Sequence, residues 1–78
     1  MTEVQFDKEL DCSGLSCPLP IIKTKKAISE LSSGQVLKMI STDPGSSADM
    51  DSWSNRTGHE IVKSEENNGK YIFYVKHK

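Results

Sequence analysis

The sequence predicts an α/β fold with the element order βαβαββ. Three observations predict it. Two segments of strand-like pattern are each followed by a segment of helical periodicity, a nearly continuous apolar run stands at Val36–Ile40, and two further apolar segments flank Asn67-Asn68-Gly69. Because each of the first two strands is followed by a helix, we expect those two strands to lie parallel in one sheet.

The first strand and the first helix are predicted from a change of period. Apolar residues alternate with polar ones through the first strand, at Val4, Phe6 and Leu10. A turn signal at Ser13-Gly14 follows, and helical spacing begins at Pro18. The predicted buried stripe of this helix consists of Ile21, Thr24, Ala27, Ile28 and Leu31, with Lys23, Lys26 and Glu30 on the opposite face. We expect the helix to end near Gly34.

The second half of the chain repeats the alternation of strand and helix and then closes with a hairpin. Val36–Ile40 has the apolar density of an interior strand. Asp43 precedes a proline and is predicted to cap a second helix, which turns Met50 and Trp53 inward. Gly58 is the expected stop of that helix. Strands at 61–62 and 71–75 complete the order, joined as a hairpin through Asn67-Asn68-Gly69.

Length and charge narrow the class of protein. A chain of 78 residues has room for one core, so we expect a single domain spanning residues 1–78, and we expect a monomer. The formal net charge of -1 argues against direct binding to nucleic acid. The basic cluster at Lys23, Lys25 and Lys26 is typical of a solvated helix face or of a local docking patch.

The distribution of apolar residues and the number of cysteines indicate in which cellular compartment the protein is expected. Acidic residues and a lysine interrupt Met1–Leu10, where a signal peptide has an apolar stretch, and no later run approaches membrane-spanning length. Two cysteines are too few for a disulfide scaffold. We therefore expect a cytoplasmic protein that does not contact a membrane and whose cysteines are thiols used for chemistry.

Cys17 is the candidate nucleophile. Pro18 and Pro20 are best tolerated in the first turn of a helix, so they predict Cys17 at or beside the N-cap of the first helix. Pro20 has no N–H, which leaves the amide of Leu19 as the expected donor to the cysteine side chain. The helix dipole and this amide favour a thiolate. The alternative is a buried or incidental cysteine.

A docking surface is predicted beside Cys17. Leu19 and Ile22 lie off the buried stripe, next to Lys23 and Lys26, and together they form an apolar and basic rim. The alternative is that the loop after the first strand covers them with Leu15.

The role of Cys12 is left open by the sequence, and the two histidines are poor candidates for catalysis. Cys12 could close a small disulfide with Cys17, resolve a persulfide as a second thiol, or point inertly into the core. His59 is expected at the opposite edge of the sheet from Cys17, and His77 is expected to be a solvated surface group. No base is paired with the cysteine and no metal-ligand spacing is present, so we expect neither a Cys-His hydrolase nor a metal or cofactor site.

These residues resemble a known family, the TusA/SirA-like sulfur carriers. The matching elements are Leu10-Asp11, Gly14-Leu15, Cys17-Pro18-Leu19-Pro20, Thr42-Asp43-Pro44, Asp49 and Gly58-His59-Glu60, so the resemblance covers essentially the whole chain. It implies a two-layer α/β sandwich, with a mixed four-stranded sheet, two helices on one face, and the last strand antiparallel to the others. Cys12 is an addition to the family's minimal motif.

The resemblance also implies a function. Cys17 would accept a sulfane sulfur as a persulfide from a donor such as a cysteine desulfurase or a rhodanese. It would pass the sulfur to a DsrE-like protein, as in tRNA thiolation or another branch of sulfur metabolism. Such a protein is a component of a sulfurtransferase system that acts as a carrier, rather than a stand-alone catalyst. The alternative is a thiol-disulfide redox or regulatory module that cycles between Cys12 and Cys17.

Overall fold

The computed structural model describes residues 5–16 and 19–78 and confirms the predicted order βαβαββ. The strands are β1 (Lys8–Cys12), β2 (Val36–Ser41), β3 (Glu60–Asn67) and β4 (Lys70–Lys76), and the helices are α1 (Leu19–Ser29) and α2 (Ser46–Thr57). Neither helix has the length and apolar character that crossing a bilayer requires, within the part of the chain described.

The sheet is mixed, with the spatial order β1-β2-β4-β3. β1 and β2 are parallel, and β4 is antiparallel to both of its neighbours, β2 and β3. The expectations of parallel first strands and an antiparallel last strand are therefore confirmed. We call the edge of the sheet where β1 and β2 end the carboxyl edge, and the edge where they begin the amino edge. The loops after both strands start at the carboxyl edge.

The core lies between one face of the sheet and the two helices. Alternate residues of β2 are fully buried, at Leu37, Met39 and Ser41, while the residues between them are partly exposed. Met39 lies opposite Leu10 of β1 and Phe73 of β4. The helices complete the core with Ala27, Ile28, Met50 and Trp53. Both helices therefore cover the same face, which is the predicted two-layer sandwich.

β1 begins later than the alternation of apolar residues predicts. Val4 lies outside the described residues, and Phe6 precedes the strand with 42% of its surface exposed. The Phe6 ring lies on the helix-free face, 6.3 Å from the ring of Tyr74 and 5.2 Å from Nζ of Lys38. The reason is the length of the partner strand, because β2 begins at Val36, and Val36 already pairs with the backbone of Asp7.

The predicted end of α1 at Gly34 and the predicted cap of α2 at Asp43 need correction. α1 ends at Ser29, about a turn before Gly34, because the next two amides donate to carbonyls three residues back and tighten the chain. Gly34 has a φ of 87° and belongs to a separate turn, in which its amide donates to the carbonyl of His77. At α2 the N-cap is Gly45, which makes no side-chain capping bond. The carboxylate of Asp43 accepts a hydrogen bond from the Gly45 amide in the turn before the helix.

The predicted end of the second helix and the predicted hairpin turn are both confirmed. Gly58 ends α2 in the left-handed conformation, with a φ of 85°, and its amide donates to the carbonyl of Ser54. The β3–β4 hairpin turns on Asn68 and Gly69, with φ values of 51° and 81°, as a two-residue turn of the type I′ class requires.

We predict that Met39→Ala destabilises the protein by about 2–5 kcal/mol, because it opens a cavity at the centre of the core. The free energy of unfolding in urea, followed by circular dichroism, measures this. Ile22→Ala is the matched control: the side chain is 56% exposed on α1, and alanine favours a helix, so its unfolding free energy should change by less than about 0.5 kcal/mol. Equal losses in the two variants would contradict the assignment of the core.

Candidate functional site

The loop from β1 to α1 is held by its own backbone. The Asp11 carboxylate accepts a hydrogen bond from the Ser13 amide at 2.9 Å, and hydrogen bonding from the Ser13 side chain, together with this amide bond, lowers the pKa of Asp11. The Leu15 amide donates to the carbonyl of Cys12 at 3.1 Å, across a turn in which Gly14 has a φ of 80°. The left-handed conformation at Gly14 explains the glycine of the predicted turn.

A residue directly after the end of β2 also holds the β1–α1 loop in place. The amide of Gly14 donates to Oγ1 of Thr42 at 2.8 Å. Thr42 follows β2 directly, so the bond joins the two loops that leave the carboxyl edge. The sequence marks Thr42 only as part of the family resemblance, and nothing in its spacing reveals a partner 28 residues away.

Cys17 and Pro18 lie outside the described residues, so the predicted position of Cys17 is constrained by its neighbours in the chain. Ser16 is exposed, and its carbonyl accepts a hydrogen bond from the Leu19 amide at 2.9 Å. The predicted donor to the cysteine side chain is thus already engaged by the backbone.

The start of α1 presents apolar and basic side chains and no acid. Leu19 and Ile22 are 44% and 56% exposed, and Lys23 is exposed beside them. Leu15 is partly buried against the core and leaves these side chains open, which answers the alternative in which it covers them. The first turn of the helix contains no acidic residue.

A shallow groove continues this surface along α1. It has a volume of about 200 Å³ and lies between β1 and α1, with Lys23, Lys26 and Ala27 on the helix side and Lys8 and Leu10 on the strand side. Glu30 also lines it and pairs with Lys8. Two of the predicted docking lysines therefore share one groove, which begins near the exposed start of the helix.

Buried hydroxyls support the carboxyl edge from within. Oγ1 of Thr24, fully buried, donates to the carbonyl of Pro20 at 2.7 Å and ties the first turn of α1 to the second. The hydroxyls of Ser41 and Ser46 are 2.6 Å apart and link the end of β2 to the start of α2. The contact between Ser41 and Ser46 therefore holds the start of α2 to the sheet, whereas the bond from Thr24 stabilises the first turns of α1 internally.

Cys12 points into the core. It is the last residue of β1, it pairs with Ser41, and its exposed fraction is 0%. Burial raises the pKa of its thiol, an effect that the nearby Lys23 only partly offsets. Of the three roles that the sequence leaves open for Cys12, its burial favours the inert one.

The two histidines lie together at the amino edge. His59 precedes β3 and is buried, with its ring 5.3 Å from that of Trp53 and 4.7 Å from that of His77. Burial, together with the positive charges of His77 and Lys78, lowers the pKa of His59. His59 therefore lies at the opposite edge of the sheet from the β1–α1 loop, as expected. His77 is partly buried and packs on another ring, so the prediction of a simple solvated group is wrong.

Metal binding finds no support in the described ranges 5–16 and 19–78, where no three histidine, cysteine or acidic side chains come together as a ligand set.

We predict that Cys12 resists alkylation in the folded protein. In a Cys17→Ser variant Cys12 is the remaining cysteine of the chain, so iodoacetamide labelling followed by mass spectrometry reports on it alone. Burial and the raised pKa of the thiol should make labelling at neutral pH at least roughly a hundredfold slower than in urea. Comparable rates in the two conditions would show that the thiol is accessible.

We predict that Thr42→Val frees the β1–α1 loop, whereas Thr42→Ser does not. Valine removes the acceptor of the Gly14 amide, and a hydrogen bond of this kind contributes about 1 kcal/mol. Hydrogen exchange of the Gly14 amide, measured by NMR, should therefore be roughly fivefold faster in the valine variant, and unchanged with serine. Equal exchange in wild type and both variants would show that Thr42 does not hold the loop.

The chain resembles proteins of known family along nearly its whole length. The family model described as Sulfurtransferase TusA matches residues 8–77. The sulfur carrier protein TusA of Allochromatium vinosum is 54% identical over 71 residues, which cover 91% of this chain and 93% of the relative. The putative sulfur carrier protein YrkI of Bacillus subtilis is 41% identical over 72 residues, which cover 92% and 96%.

A solved structure has the same fold. The crystal structure of a SirA-like protein from Desulfitobacterium hafniense superimposes with a TM-score of 0.78 at 25% sequence identity, covering 90% of this chain and 96% of that one. The family match extends from the start of β1 into the last residues after β4, so it includes the whole sandwich. The chain therefore belongs to the TusA family.

Proposed function

We propose that the protein is a sulfur carrier that holds a sulfane sulfur as a persulfide on Cys17 and delivers it to partner proteins. The observation that carries the proposal is the place of Cys17 in the sequence, two residues before a helix start that is exposed and free of acidic residues. Relatives that match more than nine-tenths of the chain bear the name sulfur carrier protein.

The transfer balances as two exchanges at sulfur. The Cys17 thiolate attacks the outer sulfur of the donor's persulfide, the donor's S–S bond breaks, and the donor cysteine leaves as a thiolate. An acceptor thiolate then attacks the outer sulfur on Cys17, and the Cys17 thiolate is the leaving group. One neutral sulfur atom moves in each step, so no external oxidant or reductant is consumed.

The electrostatics of the helix start suit both steps. A thiolate is the nucleophile in the first step and the leaving group in the second, so stabilising it speeds its formation and its departure. The positive end of the α1 dipole acts on a group within its first turn. Lys23 adds a positive charge to the same end of the helix, and the first turn has no acid to oppose it. With the Leu19 amide engaged by Ser16, the dipole and Lys23 carry this stabilisation.

The surface around the helix start is the docking site in this proposal. Leu19 and Ile22 offer exposed apolar area, and Lys23 and Lys26 line the adjoining groove. Leu15 supports the surface from below through its contact with the core. The partners are a cysteine desulfurase or a rhodanese as donor and a DsrE-like protein as acceptor, in the cytoplasm. Pro18 and Pro20 keep the direction of Cys17 fixed during both encounters.

A redox module using Cys12 and Cys17 would need Cys12 to leave its place in the sheet. Its thiol is fully buried in the core at the end of β1, and burial disfavours its thiolate. Disulfide exchange requires an accessible thiolate. The geometry of Cys12 therefore favours the carrier over the redox module.

Intact-protein mass spectrometry tests the proposal. The protein is incubated with a cysteine desulfurase and free cysteine, and the expected result is a mass increase of one sulfur atom that a reductant removes. Cys17→Ser should abolish the adduct. Cys12→Ala, the matched control, should keep it, because Cys12 is inert in the core.

Two results would contradict the proposal. An adduct that persists in Cys17→Ser would place the sulfur elsewhere. A loss of two hydrogens on mild oxidation that needs both cysteines, with no sulfur adduct from either a desulfurase or a rhodanese, would establish the redox module instead.

A further inference from the structure

A second surface, remote from the carboxyl edge, has the features of a binding site. It is a cleft of about 500 Å³ between the last turns of α1 and α2 and the C-terminal residues after β4. The residues that line it are Lys25, Ile28, Ser29, Trp53, Arg56, Thr57, His59, His77 and Lys78. We call it the helix-end cleft.

The rim of the helix-end cleft is cationic. Lys25, Arg56 and Lys78 are exposed around it, and none of the described side chains that line it is acidic. Nζ of Lys78 donates to the carbonyl of Thr57 at 2.7 Å, which holds one of the three charges over the cleft. The whole chain has 10 basic and 11 acidic residues, so this concentration of one sign is local and does not follow from composition.

The floor of the cleft is apolar and aromatic. Ile28 is buried at its base, and the rings of Trp53, His59 and His77 form one wall, in which Trp53 stacks on His59 and His77 meets His59 edge-on. The indole N–H of Trp53, in a side chain 3% exposed, makes no hydrogen bond within the part of the chain that the structure describes. The wall therefore offers an aromatic surface against which an apolar group can pack.

We propose that the helix-end cleft binds an acidic segment of a partner protein, one in which carboxylates flank an apolar side chain or chain stem. The cationic rim would pair with the carboxylates, and the apolar floor would accept the stem between them. The cleft is open to solvent and lies along the ends of two helices, which suits an extended peptide. The choice of a protein as ligand rests on the proposed carrier role.

The run of lysines on α1 divides between the two surfaces. Lys25 lines the helix-end cleft, whereas Lys23 and Lys26 line the groove beside β1. A partner held through Lys25 would leave the start of α1 uncovered. Such a partner stays bound while Cys17 is loaded or unloaded by another protein.

The division of the lysines supplies a matched pair of variants. Lys25→Gln with Arg56→Gln removes two charges from the cleft, and Lys23→Gln with Lys26→Gln removes two from the other face. All binding is measured with Cys17→Ser variants, so no persulfide can form on Cys17. The result is therefore interpretable even if the carrier proposal fails. The probe is a hexaglutamate peptide at low ionic strength, with hexaglutamine as the neutral control.

Trp53 is the single tryptophan of the chain and lies in the cleft wall, so its fluorescence is the first readout. Amide shifts by NMR are the second. We expect saturable binding of hexaglutamate, shifts at Trp53 and His59, and no binding of hexaglutamine. The cleft variant should weaken binding by roughly three- to tenfold, since each exposed ion pair contributes less than about 1 kcal/mol, and the other variant should change it less than twofold.

Several outcomes would overturn the inference. Equal weakening in both double variants would show attraction to overall charge rather than to the cleft. Citrate binding as tightly as the peptide would identify a site for a small free anion. No saturable binding of hexaglutamate by either readout, with the variants folded by circular dichroism, would show that the cleft takes no acidic segment.

Discussion

The parallel ladder between β1 and β2 is the constraint on which the rest of the molecule depends. It runs through five paired positions, from Lys8 with Leu37 to Cys12 with Ser41. Parallel neighbours cannot be joined by a tight turn, so the chain must cross back over the sheet, and α1 is that crossing. The start of α1 is thereby fixed at the carboxyl edge and its end at the amino edge. The place of the α1 start, two residues after Cys17 in the sequence, and the place of the helix-end cleft both follow from this one pairing.

Different kinds of interaction organise the two ends of the helix layer. At the carboxyl edge, backbone and hydroxyl groups hold the loops, through the bonds from Gly14 to Thr42 and between Ser41 and Ser46. At the amino edge, stacked rings and cationic side chains surround an open cleft. Directed hydrogen bonds suit the site proposed for the carrier, which would have to present one sulfur in a fixed direction. Rings and long charged side chains suit a surface that adapts to a bound segment.

The order of elements could be read from the sequence because period and turn chemistry are local. Gly58, Asn68 and Gly69 stop or turn the chain through their own backbone preferences, and all three do so in the structure. The family resemblance also rests on short contiguous motifs along the chain, among them Cys17-Pro18-Leu19-Pro20.

The sequence-based predictions are wrong where contacts with a distant part of the chain determine the bounds of an element or the environment of a side chain. β1 starts at Lys8 because β2 offers no partner for earlier residues, and α1 stops before Gly34 because the turn at Gly34 belongs to the contact with His77. The Thr42 tether and the packing of His77 on His59 join residues far apart in sequence, so no local pattern announces them. The carbonyl of Ser16 accepts a hydrogen bond from the Leu19 amide, while the cysteine for which that amide is the predicted donor lies outside the described residues.

Both outer strands of the sheet are unsuited to accepting an added strand. β1 has five residues, with Lys8 and Glu9 at its start, and β3 has a bulge between Ile61 and Lys63 and carries charged side chains along its length. Short, charged and bulged edges discourage pairing with another backbone. We therefore expect a partner protein to contact side chains of this chain rather than to add a strand to its sheet. Contacts between side chains separate without breaking a hydrogen-bonded ladder, which would suit the proposed carrier, whose donor must leave before its acceptor binds.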